Sequence, residues 1–324
     1  MRWWLLAVAA ALSGATGVAR AQGVDPLDAR LETRDAERFA QLWHDSDGAP
    51  DAPALQRNYL DGASDGVAVF TPHRIESAAN LAAAIAAEPE IYRDAVERCL
   101  PWAAQTSDEL RATYLGFHGL LPETELPRVS LVVGANNSGG TAAPGMQVLG
   151  LEVICRLSSD EQQFRDIMRR FYAHETVHTW QDIDYDSLGP VASGIANILA
   201  EGTADYLAWL VTGRVPDPAR DAWARQHEDF VWGEFAKDVA AYHDPSLNDA
   251  GRRAIARRWT GNAGHPPEGW PSELGYWVGM RIAEGYVANS GDRHAAIREL
   301  LTLDDPMAIV QASGLANRIA PTAR

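Results

Sequence analysis

The chain has 324 residues, 46% of them apolar and 22% charged, and a formal net charge of −16. That composition is ordinary for a globular protein and the length is ample for a buried core. An acidic chain with no basic cluster is a poor partner for nucleic acid or for an anionic membrane surface, so neither is expected.

The first residues, "MRWWLLAVAAALSGATGVARAQ", carry an early Arg2, an apolar run and an Ala19-Arg20-Ala21 site. This is the pattern of a secretory signal over residues 1–21, cleaved before Gln22, and it predicts an exported protein, periplasmic or secreted. Cleavage removes Arg2 and Arg20, which takes the charge from −16 to −18. No cysteine lies near the site to take a lipid, and no later segment reaches the roughly 18 uninterrupted apolar residues of a membrane span. The two cysteines, Cys99 and Cys155, could pair in an exported chain or stay as buried thiols; their spacing does not decide.

Phe39, Leu42 and Trp43 predict a helix over about 31–44, and similar patterns predict helices near 53–61, 74–87, 89–99 and 107–120. "DGASDGVAVFTPH" (61–73) reads as a loop. "RVSLVVG" (128–134) and "QVLGLEVIC" (147–155) read as strands, an antiparallel pair joined by the loop "ANNSGGTAAPG" (135–145). Helical spacing returns over 160–181, with Phe164, Ile167, Met168 and Phe171 as one stripe. It continues over about 191–211, 218–242, 272–289, 293–303 and 305–312. The expected fold class is α+β, mainly α-helical, with a small sheet. A helical N-terminal lobe (22–125) and a C-terminal lobe (126–324) read as parts of one domain, because no linker separates them.

The chemistry concentrates in "FYAHETVHTWQ" (171–181). His174 and His178 stand four residues apart, so on a helix both imidazoles reach one ion. Glu175 lies about 100° round the helix, placed to act as a general base rather than a ligand. A catalytic zinc needs a third protein ligand and an open position. The next helix offers Glu201 in "ILAEGTADYLAWL", with Asp205 four residues on and on the same face. Asp205 is then placed to hold a ring nitrogen of one histidine. Hydrolysis of an amide also needs a donor for the developing oxyanion. Tyr276 in "GYWVG" is the favoured candidate, with Tyr206 and His265 behind it, and Gly275 and Gly279 would let the helix of Tyr276 pack closely. "GASDG" (62–66) has the spacing of a nucleophile elbow but lacks the strand before and helix after that such a serine needs.

The E-x-x-x-D arrangement following H-E-x-x-H resembles the gluzincin metallopeptidases. Four segments, spread over about residues 55–310, are similar to the DUF2268 family of predicted zinc-dependent proteases and the related gliding-motility lipoprotein B family. They are "YLDGASDGVAVF", "VVGANNSGGTAAPGMQVLGLEVI", "HETVHTWQ" with "AEGTADYLAWLVTG", and "ELGYWVGMRIAEGY". The resemblance implies a zincin-like catalytic lobe and one zinc ion held by His174, His178 and Glu201, with Glu175 as base. It also implies an edge strand that pairs with extended substrate; "QVLGLEVI" is the candidate, with Asn137, Gly139, Gly140 and Thr141 as substrate-binding residues on the cleft rim. The lipid-attachment cysteine of the gliding-motility members is missing here.

The expected function is cleavage of a peptide or protein substrate. Two alternatives stand beside it: an envelope protein of the same fold that binds or assembles with little catalysis, and a zinc hydrolase of a non-peptide amide such as a cell-wall linkage. Oligomeric state is not legible.

Overall fold

The computed structural model describes residues 23–319, so the expected signal peptide lies outside the described residues. Helix takes 64% and strand 5%, which makes the chain an α+β protein, mainly helical. No described helix is long and apolar enough to cross a membrane.

Four strands make the sheet: β1 (Leu31–Glu32), β2 (Arg128–Val132), β3 (Gly140–Ala143) and β4 (Met146–Gly150), in the order β1-β2-β4-β3. β1 pairs with β2 and β2 with β4 in parallel, while β3 runs antiparallel to β4. Three expectations are corrected here. The two expected strands are parallel neighbours, not an antiparallel pair. The segment 135–145 is not all loop, because Pro144-Gly145, with Gly145 at φ 70°, turns β3 back onto β4. The second strand ends at Gly150, and Leu151–Arg156 is a helix. A fully buried apolar run such as "LGLEVIC" has no period that separates strand from helix. Gly150 marks the change of direction, since a Cβ there would lie 2.4 Å from the Ser138 carbonyl oxygen.

The expected loop 61–73 is also corrected. Ser64 caps a helix over Asp65–Phe70 by accepting from the Gly66 amide at 3.1 Å, and Val67 and Phe70 are buried beneath it. Ser64 Oγ donates to Asp35, so it serves as a cap and not as a nucleophile. A π-helical turn, Thr71–Ile75, follows directly. Beyond the expected helices, Asp249–Trp259 forms another, capped by Asn248.

Residues 23–125 and the rest share structure at three points. β1 lies in the same sheet as β2 and β4. One continuous core runs from Ala29 to Ile319. Cys99 and Cys155 form a disulfide with Cα atoms 5.7 Å apart, across 56 residues of sequence. Closing a loop of that length stabilises the folded chain by about 4 kcal/mol through the unfolded state.

The helix Glu161–His178, here the His helix, is capped by Asp160, whose carboxylate accepts from the Gln163 amide at 2.9 Å. It lies over the sheet with Phe164, Met168 and Tyr172 fully buried. Gln147 of β4 donates to Thr176 Oγ1 (2.6 Å) on the helix and so ties it to the centre of the sheet. The helix Pro190–Thr212, here the Glu helix, starts on a proline and stops at Gly213 in the left-handed conformation. It packs against the helix Leu274–Asn289, here the Tyr helix, with almost no space between backbones. A Cβ on Gly202 would lie 2.1 Å from the Gly279 carbonyl carbon. These three helices hold the site.

Candidate metal centre

His174 and His178 project from the last turns of the His helix, and Glu201 from the middle of the Glu helix. Their ligand atoms converge. His174 Nε2 and His178 Nε2 are 3.0 Å apart, and Glu201 Oε2 lies 3.3 and 3.4 Å from them. A tetrahedral ion with bonds of about 2.0–2.1 Å separates its ligand atoms by about 3.3 Å. The three atoms therefore already stand near three corners of such a tetrahedron.

The other ring nitrogens show what the converging atoms carry. His174 Nδ1 meets Asp205 Oδ1 at 2.9 Å, and a carboxylate can only accept. His178 Nδ1 meets Gln181 Oε1 at 2.7 Å; that amide's Nε2 donates to the Ala200 carbonyl at 2.8 Å, which identifies its oxygen as the acceptor. Both Nδ1 atoms are then donors, and in the neutral rings both Nε2 atoms present lone pairs. Glu201 Oε2 is buried with no hydrogen-bond partner. With both rings neutral, two imidazole lone pairs and one carboxylate oxygen face a common point, which is a donor set for a cation. His174, His178 and Glu201 thus form a group that could bind a metal ion.

Without a cation, the same pocket draws a proton onto its histidines. Burial disfavours a charged His174, yet Asp205 and Glu201 outweigh it and push the ring up to about 10. Burial likewise disfavours charge on Glu201, but the two rings hold its carboxyl far below the usual range. The pocket favours positive charge at its centre.

Asp205 is buried and bridges. Its Oδ1 faces His174 and its Oδ2 accepts from Arg220 Nη2 at 2.5 Å. Arg220 also lies over the Tyr276 ring, 5.0 Å from its centroid. Tyr276 stacks parallel on His174, with centroids 5.7 Å apart and planes 2° apart. Burial first, then the charge of Glu201, raises its hydroxyl well above the ordinary value, so it stays protonated and can donate. The other two donor candidates stand elsewhere: Tyr206 is buried with Glu284 and Arg293 as its charged neighbours, and His265 is exposed. Gly279 does allow close packing, since its Cβ would lie 2.1 Å from the Ile198 carbonyl oxygen of the Glu helix.

Glu175 is buried on the same helix as the two histidines. β3 crosses directly beside it: a Cβ on Gly140 would lie 2.5 Å from Glu175 Oε1. Gly139 packs equally tightly on Phe171. The strand beside the His helix that has a free edge is therefore β3, and the expected "QVLGLEVI" is corrected, because β4 is paired on both sides. Thr141, in β3, pairs with Val148 of β4. Asn137 is exposed before the strand, and its Nδ2 donates to the Arg74 carbonyl at 3.0 Å.

Sequence reasoning did not identify Gln181, Arg220, Arg74 or Glu152. Gln181 had a signal, since it follows His178 by three residues at the helix end. Glu152 lay hidden in an expected strand. It is fully buried, burial pushes it up to about 7, and it accepts from the Gly134 (3.0 Å) and Asn136 (3.2 Å) amides, which shapes the approach to β3. Arg220 had no local signal at all. Comparison with protein-family models, with curated proteins and with solved structures finds no match to this chain.

Proposed function

We propose that the protein is an exported zinc metallopeptidase of the gluzincin kind, with a zincin-like site that resembles the DUF2268 proteases. The observation that carries the reading is the convergence of the two histidine Nε2 atoms and a Glu201 carboxylate oxygen at the spacing of a tetrahedral ion's ligands, with the carboxylate of Glu175 on the same helix outside that set. A purely structural site has no need of a further carboxylate such as Glu175 beside its ligands. His174, His178 and Glu201 would hold the ion. When bound, zinc supplies a Lewis acid for the scissile carbonyl and lowers the pKa of water.

The chain's own groups account for the rest. The free edge of β3 offers backbone pairing to an extended peptide, which favours a peptide over a non-peptide amide. Glu175 takes a proton from the attacking water as the C–O bond forms. It returns that proton to the amide nitrogen as the C–N bond breaks, so the products are a carboxylic acid and an amine. Tyr276 donates from a hydroxyl that stays protonated at neutral pH. Asp205, steadied by Arg220, keeps His174 in the tautomer that presents Nε2.

The test is metal content and cleavage of a mixed peptide pool for wild type, His174→Ala and Glu175→Gln. Wild type should hold about one zinc per chain and cleave. His174→Ala should lose metal, and Glu175→Gln should keep metal and lose cleavage. A wild type that holds zinc and cleaves no peptide would leave a binding role or a non-peptide amide; one that takes up no metal would end the reading.

A further inference from the structure

Arg74 is a guanidinium with a built position and no assigned work. It sits on the π-helical turn Thr71–Ile75, a form that concentrates at functional sites. Glu76 follows at φ 62°, ψ −55°, and the Ser77 amide donates to the Ile75 carbonyl at 2.7 Å. This is the strained, non-inverse form of γ-turn, which persists only where its surroundings enforce it. Two asparagines do so: Asn137 donates to the Arg74 carbonyl at 3.0 Å and Asn80 to the Ile75 carbonyl at 3.1 Å.

The side chain reaches the segment just before β3. Arg74 Nε meets Ser138 Oγ at 3.4 Å, and Ser138 Oγ donates to the Gly140 carbonyl at 2.7 Å. Gly140 is the residue that touches Glu175. Burial lowers the guanidinium from its ordinary value, and the charge of Glu175 draws it back up, so the two groups share one field. Among the described residues no carboxylate pairs with Arg74 within ion-pair distance. A half-buried guanidinium close to Glu175, packed over the Phe70 ring at 5.9 Å and with no hydrogen bond to its Nη groups among the described residues, is a carboxylate receptor in both charge and fork geometry.

We infer that Arg74 binds a carboxylate of the substrate, so that the enzyme selects peptides bearing a negative charge next to the scissile bond. The inference rests on the peptidase reading. The carboxylate has two sources, a free C-terminus or an Asp or Glu side chain.

Three matched peptides separate the sources: one neutral with a free C-terminal carboxylate, the same peptide amidated, and an amidated version carrying one Glu. Cleavage is measured for wild type, Arg74→Ala and Arg74→Lys. In parallel, the dissociation constants of all three are measured on Glu175→Gln with and without Arg74→Ala. Losing a charge-assisted bidentate pair should cut the preference for the carboxylate form over the amide at least tenfold in kcat/KM. The loss should fall on KM, and Arg74→Lys should restore part of it. Preference for the free C-terminus would mark an exopeptidase, and preference for the Glu peptide a side-chain subsite. An equal loss on all three peptides, a loss confined to kcat, or no change would overturn the inference. Should Arg74→Ala fold poorly, Arg74→Lys and Arg74→Gln carry the comparison, since neither disturbs the asparagine bonds to the backbone. If wild type cleaves none of the three, the peptidase reading has failed, and the binding constants still decide: carboxylate-dependent affinity that vanishes in Arg74→Ala supports the inference, and its absence refutes it.

Discussion

Gly140→Ala is the sharpest perturbation of the site that removes no functional group. The added Cβ would stand 2.5 Å from Glu175 Oε1 and 2.7 Å from its Cδ, some 0.9 Å short of the 3.4 Å at which ordinary contact begins. The obstacle is the end of a flexible side chain, so the carboxylate moves and the backbone does not. Gly150 is the contrast, because there the obstacle is the Ser138 carbonyl oxygen at 2.4 Å and no side chain can yield. A base moved by about 1 Å loses on the order of a hundredfold in rate, which is about 2.7 kcal/mol of barrier. Stability should fall by no more than about 1 kcal/mol, the cost of one side chain held off its preferred rotamer. The three ligand atoms should be unaffected.

The assay is therefore threefold: zinc per chain, thermal midpoint, and kcat on the best peptide of the pool. Gly140→Ala is expected to keep its metal and nearly its midpoint while kcat falls by about two orders of magnitude. Full activity in a well-folded Gly140→Ala would show that Glu175 does not work where it now stands, and the proton-transfer role would have to go to another group. Equal loss of metal and activity would refute the separation of base from ligand set.

Three further outcomes follow from the same geometry. Asp205→Asn should weaken zinc binding by about 10–100-fold, read against a competing chelator, because the amide cannot both orient His174 and balance Arg220. In the metal-free chain the His174 pKa, raised to about 10, lies above the roughly 6.5 of an unfolded histidine, so its stabilisation is complete below about pH 6.5 and disappears as pH climbs through 10. Urea midpoints with chelator present should fall across that window, less steeply in His174→Gln; parallel slopes would refute the assignment. Gly202→Ala should cost about 3 kcal/mol, because the obstacle is backbone of the Tyr helix, and a denaturation midpoint equal to wild type would contradict the packing.

The metal half of the site was legible because helix geometry is rigid. Once "HETVH" lies on a helix, the four-residue step stacks the two imidazoles, and "EGTAD" does the same for a carboxylate and its neighbour. The sheet was less legible for the opposite reason. Strand pairing is non-local, and β3 is four small residues between glycines and Pro144, with nothing in their composition to distinguish them from loop. Their strand character comes from five-residue β4 beside them and from the turn at Gly145. The helix after Gly150 failed in the same way, since a buried apolar run reads alike in either form. Ser64 was readable as a helix cap, yet its Gly and Asp neighbours carry a loop composition that outweighs one capping residue.

The site draws unequally on the chain. The ligands and the groups that hold them come from residues 174 to 220, and the helix that carries Glu201 and Asp205 is locked to the Tyr helix by backbone contact at Gly202 and Gly279. A metal site needs that stiffness, because ligand spacing tolerates little error. Glu175 belongs to the same stiff part. What faces it comes from elsewhere: β3, a strand only four residues long, and Arg74, on a strained turn of the N-terminal segment held by two asparagines. Groups that meet substrate sit on loops and edges placed by a rigid scaffold. On the proposed reading, the hydrolytic chemistry and the choice of substrate are therefore separable. Substitutions at Arg74 and Asn137 should change which peptides are taken while leaving metal content intact, whereas substitutions at Asp205 and Arg220 should act through the metal and lower cleavage of all peptides alike.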